Sequence, residues 1–312
     1  MNSLTLAYTK IALAMAIVGS SVVFGKLIIS SFPIFLASEL RFIVASIILV
    51  LFLVGKERQF PSIKFKDLLV LFIQALTGVF LFNVFMLYGL KYTTAIEAGI
   101  IMSILPAVIA LVSLLLLKER LTKRKGFGIL FAVLGVLLIN LLGGKIGDIH
   151  SLLGNLLIFG AVLGETLFIT LGKLISNKLT PLTISTMMSI FGLIMFLPFS
   201  IKEAKSFDFS SVGLGDWLNI LYFGIVVTVL AFLLMYQGLS IVSASSAGVF
   251  TSILPLSSVI LSFLILKEEL LFPHLLGILF VVIAIFLISR DSEGEEFVSP
   301  NSEVAVDNEN PN

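Results

Sequence analysis

Apolar runs of about 20 residues, broken by short polar stretches, repeat along most of this 312-residue chain. A helix rises about 1.5 Å per residue and the hydrocarbon of a bilayer is about 30 Å thick, so each run is long enough to cross it. Ten spans are predicted: Tyr8 to Ile29, Pro33 to Val54, Leu68 to Leu90, Thr94 to Leu117, Gly126 to Leu142, Leu152 to Ser176, Pro181 to Phe199, Trp217 to Gln237, Ser245 to Leu266, and Leu271 to Ser289. The runs are rich in Leu, Ile and Ala and lack the short alternating segments of an outer-membrane barrel, so the expected fold is an all-α membrane protein. The first run is too long for the apolar core of a signal peptide and has no small-residue cleavage motif behind it. It is expected to remain as a span.

Connections such as Ser30-Ser31-Phe32 and Lys91-Tyr92-Thr93 are so short that consecutive spans must be antiparallel neighbours. The longer breaks, Gly55 to Lys66 and Ser200 to Asp216, hold too few apolar residues for a core of their own and read as linkers. Beyond Arg290, acidic residues lie among Asn, Ser and Pro, so residues 291–312 read as a disordered acidic tail.

Composition narrows the chemistry. Only 12% of the residues are charged, against roughly 25% in a soluble domain, which excludes a water-soluble globule. The chain has no Cys, which excludes a disulfide framework, a thiolate zinc site and a cysteine-held iron–sulfur cluster. A net charge of +1 provides no field that would gather nucleic acid. His150 lies in a loop and His274 near a span end, neither with a second ligand at metal spacing, so no metal, cofactor or catalytic site is expected. Lys10, Lys56, Arg58, Lys64, Lys66, Lys118, Arg120 and Lys123 to Lys125 fall on one side of the spans, against Lys91 and Lys145 on the other. Positive residues stay cytoplasmic, so the N-terminus is expected inside a cell membrane, and an even number of spans returns the C-terminus to the same side. In the later spans the bias is weak.

The chain also repeats itself. Ser103-Ile104-Leu105-Pro106 returns as Ser252-Ile253-Leu254-Pro255 at an offset of 149 residues, which also pairs Ala98-Gly99 with Ala247-Gly248, Lys118-Glu119 with Lys267-Glu268, and Gly128 to Phe131 with Gly277 to Phe280. Gly25-Lys26-Leu27-Ile28 returns as Gly172-Lys173-Leu174-Ile175 at an offset of 147, which implies a small length change in a loop. Pro, Gly, Lys and Glu coinciding at one offset mark a duplication rather than shared apolar composition. Five spans per copy is an odd number, so the second copy must enter the membrane from the opposite face. Two inverted repeats are the scaffold of alternating access, with a site near the midplane where they meet.

Gly19-Ser20 in the first span, Leu40-Arg41-Phe42 in the second, Leu105-Pro106 with Lys118-Glu119-Arg120-Leu121, and the second copy Leu254-Pro255 with Lys267-Glu268-Glu269-Leu270 resemble the EamA-type drug/metabolite transporter superfamily. The resemblance covers about residues 8–290 and implies a first repeat over 1–142, a connecting loop over 143–151 and a second repeat over 152–290. It further implies a cytoplasmic-membrane carrier of small metabolites, often an exporter, with a cavity between the halves. Val18 stands where that superfamily often has Trp before the Gly-Ser pair.

Polar residues inside spans are the candidates for function. Glu165 lies deep in the sixth span, where a carboxylate needs a wet cavity or a cation; it reads as a contact for a substrate amine or as a proton-coupling group, against a structural Glu packed between helices. Glu39 and Glu97 lie near the level of Lys26 toward the outer face, and an ion pair there would have to break on opening, which makes a gate; interfacial snorkelling is the plainer alternative. Arg41, two residues from Glu39 and on another helix face, should pair elsewhere in the bundle. Asn83 reads as cavity lining, Gln74 and Gln237 as interhelical glue. Pro106 and Pro255 remove backbone bonds mid-span, with Ser103 and Ser252 placed to satisfy the freed carbonyls, so bends or hinges are expected there. Gly126, Gly128, Gly135 and Gly277 permit close helix approach, within the monomer or at a homodimer face.

Together these features predict a secondary transporter of small organic metabolites, amino acids or related compounds, working outward by alternating access in the lipid bilayer. No phosphate-binding Gly-Lys-Ser/Thr loop that would mark an ATPase occurs in the sequence. An uncoupled channel or facilitator is the alternative; a membrane receptor or enzyme ranks behind both.

Overall fold

The computed structural model describes residues 3–57, 63–117, 149–242 and 253–272, with shorter stretches at 123, 126–127, 130–131, 134, 247, 250–251, 275–280, 282–283 and 286. Every regular element among them is helical. Most of the predicted span at 126–142 and part of that at 271–289 lie outside these residues, as do Ser252, Lys118 to Arg120, Gly128, Gly135, His274, residues 143–148 and the acidic tail.

Helix α1 (Ser3–Ser31) is followed after Phe32-Pro33 by α2 (Ile34–Glu57). A continuous rod of 28 residues then runs through α3 (Phe65–Ala75), a π-helical turn (Leu76–Leu81) and α4 (Phe82–Tyr92). Next come α5 (Ala95–Met102) and α6 (Leu105–Leu117). Farther along, α7 covers Ile149–Ser176 and α8 covers Pro181–Ala204, the latter started by the Thr180 N-cap with Pro181 in its first turn, where a missing N–H costs nothing. A second rod joins α9 (Leu214–Tyr222), a π turn (Phe223–Leu230) and α10 (Ala231–Leu239). The last long piece is α11 (Ile253–Leu261), closed by a π turn (Ser262–Leu266). Six of the described helices are long and apolar enough to cross a membrane, and two shorter apolar ones accompany them, so the chain is a multi-pass membrane protein.

Two kinds of apolar surface account for this architecture. Ile43, Ile47, Leu51 and Val54 repeat at helical spacing along α2 and are all exposed, a stripe that faces lipid rather than water. The opposite face buries Phe42, Ala45, Leu49 and Leu53 against the bundle. With lipid tails as apolar as Leu, burial alone does not hold such helices together; close backbone approach and interhelical polar contacts do. At Gly19 a Cβ would meet the Leu254 carbonyl oxygen at 2.3 Å, so glycine alone lets α1 lie directly on α11.

The halves interleave instead of forming two separate bundles. Helix α1 packs on α10 and α11 from the later part of the chain, and α7 packs in turn on α3, α4 and α6 from the earlier part. The most extensive contact is between α2 and α8, both 24 residues long, which begin and end 147 residues apart. The starts of α3 and α9 lie 149 residues apart, as do the ends of their π turns at Leu81 and Leu230. The change from 147 to 149 falls in the connections: residues 58–64 are seven, residues 205–213 are nine. This is the loop in which the sequence offsets required a length change.

The prolines behave differently from the mid-span bends expected of them. Helix α5 stops at Met102, Ser103 and Ile104 form short i to i+3 bonds back to Ile100 and Ile101, and α6 starts afresh at Leu105. Pro106 therefore sits in the first turn of a new helix, a position that suits its missing N–H. The Ser103 hydroxyl donates to the Gly99 carbonyl at 3.1 Å rather than to one freed by proline. Pro255 likewise lies in the first turn of α11, after a turn at Thr251.

Candidate functional site

A cavity of about 40 Å³ lies where the interleaved halves meet. Its wall is built from α1 (Met15, Val18, Ser21), α2 (Arg41), the rod of α3 and α4 (Gly78, Phe82, Asn83), α7 (Glu165, Phe168) and the rod of α9 and α10 (Val227, Ala231, Phe232, Met235). The π turns of the two rods border it. A π turn inserts an extra residue and widens the helix locally, and Thr228 follows that geometry, its hydroxyl donating to the Phe223 carbonyl five residues back at 2.9 Å. The first π turn holds Gly78, where a Cβ would lie 2.3 Å from the Phe168 Cβ. That contact sets how close the rod can come to α7.

The sequence candidates Glu165, Arg41 and Asn83 are brought together on this wall. Arg41 is buried, and its Nη1 donates to Asn83 Oδ1 at 2.9 Å. The Asn83 amide is in turn fixed by donating Nδ2 to the Val79 carbonyl at 2.5 Å, which aims its oxygen at the guanidinium. The guanidinium also lies 4.4 Å from the centre of the Phe42 ring and 5.2 Å from that of Phe223, contacts that favour a desolvated cation. Its Nε has no hydrogen-bond partner among the described residues. Glu165 is 5% exposed, and no described residue hydrogen-bonds or pairs with its carboxylate. One half-satisfied cation and one unpaired carboxylate thus share a small, mostly apolar chamber.

Glu39 and Glu97 lie elsewhere. Glu39 is buried on α2, is not among the residues of the cavity wall, and its Oε2 has no hydrogen-bond partner among the described residues. Glu97 closes a capping box at the start of α5, its backbone N–H donating to Thr94 Oγ1 at 3.1 Å. Thr93 hydrogen-bonds the Glu97 carboxylate and lies 2.7 Å from Asn155 Oδ1 on α7. The expected pairing of Lys26 with Glu39 or Glu97 is not formed: Lys26 donates to the Thr93 carbonyl at 2.6 Å, and its nearest carboxylate is that of Glu268, at 4.0 Å. Glu268 was not singled out by sequence; the only signal was the repeated Lys-Glu dipeptide, which spoke for duplication rather than chemistry. Gln74 bridges Phe168 O and the Tyr236 hydroxyl, each at 2.8 Å, and ties α3 to α7 and α10.

A larger groove of about 770 Å³ runs past Leu51, Phe52, Lys56, Thr180, Leu233 and Gln237. Its walls include the exposed Leu51 and Phe52 of the lipid-facing stripe, and it holds none of the buried charges. The central chamber is the candidate site.

Comparison with known proteins agrees with this architecture. The model of the EamA-like transporter family matches residues 5–141 and again residues 152–290. The "uncharacterized transporter YetK" of Bacillus subtilis is 49% identical over 283 residues, 90% of this chain and 86% of its own length. A second Bacillus subtilis protein, "uncharacterized transporter YyaM", is 29% identical over 72% of this chain and 74% of its own. An "uncharacterized transporter" of Archaeoglobus fulgidus is 29% identical over 83% and 89%. One crystal structure superposes on 93% of this chain and 98% of its own with a TM-score of 0.66 at 18% identity, a likeness of fold alone.

Proposed function

Because this chain belongs to the EamA-like transporter family, we propose that it is a secondary carrier that moves small organic metabolites, amino acids or compounds related to them, across the cell membrane by alternating access between two inverted five-helix repeats. Outward is the direction that the resemblance implies. The observation that carries the reading is the composition of the chamber wall. Val18 and Glu165, and Ser21 and Phe168, are pairs at the 147-residue offset; Gly78 and Val227, Phe82 and Ala231, and Asn83 and Phe232 are pairs at 149. Ten lining residues are therefore five pairs of corresponding positions, as a site on the axis between two copies requires. The matching helix limits and the exchange of α1 and α7 between halves support the same reading.

In this arrangement Glu165 receives the cationic end of the solute or a coupling proton, Arg41 held by Asn83 receives an anionic end, and Phe82, Phe168 and Phe232 enclose its apolar part. A chamber of 40 Å³ has room for a few waters only, since one water needs about 10–15 Å³, so it is too small for an organic solute in this conformation and must widen to load one. The basic residues of the early loops support a cytoplasmic position for both termini.

Reconstituted in liposomes, the chain should exchange labelled against unlabelled solute, with candidates drawn from metabolite profiles of cells with and without the protein. Glu165→Gln should insert normally and transport at least about tenfold more slowly, with the pH dependence of the initial rate flattened. Ion-channel rates without counterflow would replace the carrier by a facilitator, and wild-type rates in the variant at every pH would remove Glu165 from the mechanism.

A further inference from the structure

One end of the molecule is closed by a contact that lies outside the solute chamber. At the end of α11 the π turn (Ser262–Leu266) stops at Lys267, a non-glycine residue in the left-handed region with φ 57° and ψ 28°. This reversal turns the next residue, Glu268, back onto the start of α5. There its two carboxylate oxygens accept from the backbone N–H groups of Ala95 at 3.0 Å and Ile96 at 2.8 Å. These are first-turn donors that no helical carbonyl can reach, at the positive end of the helix dipole. Thr94 takes the next donor, that of Glu97, so the start of α5 is capped jointly by its own side chain and by one from the far half of the chain. Lys26 completes the arrangement from α1, with Nζ 2.6 Å from the Thr93 carbonyl and 4.0 Å from Glu268. The side chains of Lys26 and Glu268 are only 30% and 17% exposed, so the charges are partly withdrawn from solvent.

We propose that Glu268, seated on the Ala95 and Ile96 amides beside Lys26, is the latch that holds the chamber shut at this end, and that it must leave the start of α5 for the pathway to open there. The proposal rests on the carrier reading above. Glu268, Lys26 and the Thr94 cap belong to three separate helical segments, and this one carboxylate joins them. The same end has further ties between early and late helices: Ser31 Oγ donates to Asp216 at 2.6 Å, and the Leu36 amide donates to Glu203 at 2.8 Å. Glu203 takes one main-chain amide at the start of α2, whereas Glu268 takes two at the start of α5, the helix that leads toward the break before Pro106, so its release would free α5 to swing about that break.

The test uses the full chain, whose lack of Cys leaves no background thiols. Val18→Cys places one thiol on the chamber wall. In proteoliposomes, its modification by a membrane-impermeant methanethiosulfonate is timed from each side separately, alone and combined with Glu268→Gln or Lys26→Met. Glutamine can accept from one amide but sets its own NH₂ against the other, so half the latch is lost while size is kept. Modification from the latch side should speed up about tenfold with Glu268→Gln and less with Lys26→Met, with the rate from the opposite side unchanged. Unchanged rates in both variants, with protein recovered in the membrane, would overturn the latch. So would an equal rise from both sides, which means a loosened bundle. No solute enters this assay, so its failure leaves the flux reading standing, and a wild-type chain that passes it but gives no counterflow would fail as a carrier alone.

Discussion

The early and late walls of the central chamber occupy corresponding places and differ in chemistry. From the first half come Ser21, Arg41 and Asn83; at the positions offset by 147 or 149 residues stand Phe168 and Phe232, which line the late wall, and Met188, which is buried but not among the lining residues. Val18 reverses the pattern: its counterpart at the offset of 147 is Glu165, the charged residue of the late wall. Helix lengths and limits are shared where side chains are not, since α2 and α8 have the same 24 residues of length while one carries Arg41 and the other a fully buried Met188. A repeated backbone thus fixes where a chamber forms, and divergence at a few paired positions decides what it can hold. A chamber alike on both sides would accept a solute either way round. This one has a guanidinium, a carboxylate and an aromatic wall at distinct places, so on the carrier reading proposed above a solute with a charged end at each side of an apolar body would have a single orientation.

The largest effect is expected from erasing that difference. Arg41→Met gives the early half the residue of its counterpart, removing the charged partner of Asn83. A hydrogen bond to a charged group is worth about 1.5–3 kcal/mol, so counterflow of the solute should fall about 10- to 100-fold while membrane insertion persists. Met188→Leu, an apolar exchange of similar volume, should leave it within about twofold. Equal effects of the two changes would mean that the walls are equivalent and that the anionic end of the solute is held elsewhere.

Packing offers a second comparison. Gly19 lies against the Leu254 carbonyl at a distance no side chain fits, while its counterpart Thr166 carries a side chain at complete burial, with its hydroxyl donating to Val162 O at 2.8 Å. Gly19→Val should destabilise the protein by about 1–3 kcal/mol through overpacking. Thr166→Val loses one local hydroxyl bond and should stay within about 1 kcal/mol. Unfolding in mixed micelles measures both. Similar losses at the two positions would show that close approach is demanded of both halves rather than of α1 on α11.

These contrasts also mark how far the sequence could be read. Six span positions and the double occurrence of one family's pattern were legible because apolar length and identical residues at a fixed offset are properties of the chain itself; those six spans reappear as continuous helices, usually longer by a turn at one end. Glu165, Arg41 and Asn83 were legible as exceptions, polar groups where lipid forbids them. Their meeting on one wall was not, because it depends on α7 and α2 being brought against the same rod by interleaving that no local pattern encodes. The role of Glu268 was hidden for a related reason. Nothing near it in sequence suggests that a left-handed Lys267 turns it onto Ala95 and Ile96, 172 residues away at the nearer of the two. Pro106 misled in a simpler way: a mid-span proline allows either a bent helix or a fresh start, and the chain takes the second.

The smallest effect separates the two ends of the molecule. Opposite the latch, the late half meets the early half through Lys178, whose Nζ donates to Asp67 Oδ1 at 2.7 Å near the start of α3. The geometry is closer than that of Lys26 and Glu268, yet the Lys178 side chain is 55% exposed, so solvent screens the pair and an isolated exposed ion pair contributes about 0–1 kcal/mol. Distance alone would rank this end as the tighter. Counting the groups each carboxylate satisfies reverses the order, because Glu268 accepts from two main-chain donors that have no other helical partner, whereas Asp67 is matched with a mobile lysine that water can replace. Lys178→Ala should therefore change stability by less than about 1 kcal/mol and leave thiol modification of Val18→Cys from its own side within about twofold. If it opens the chamber from that side as far as Glu268→Gln does from the other, the ends are held by equal means, and short ion pairs rather than capped helix starts govern closure.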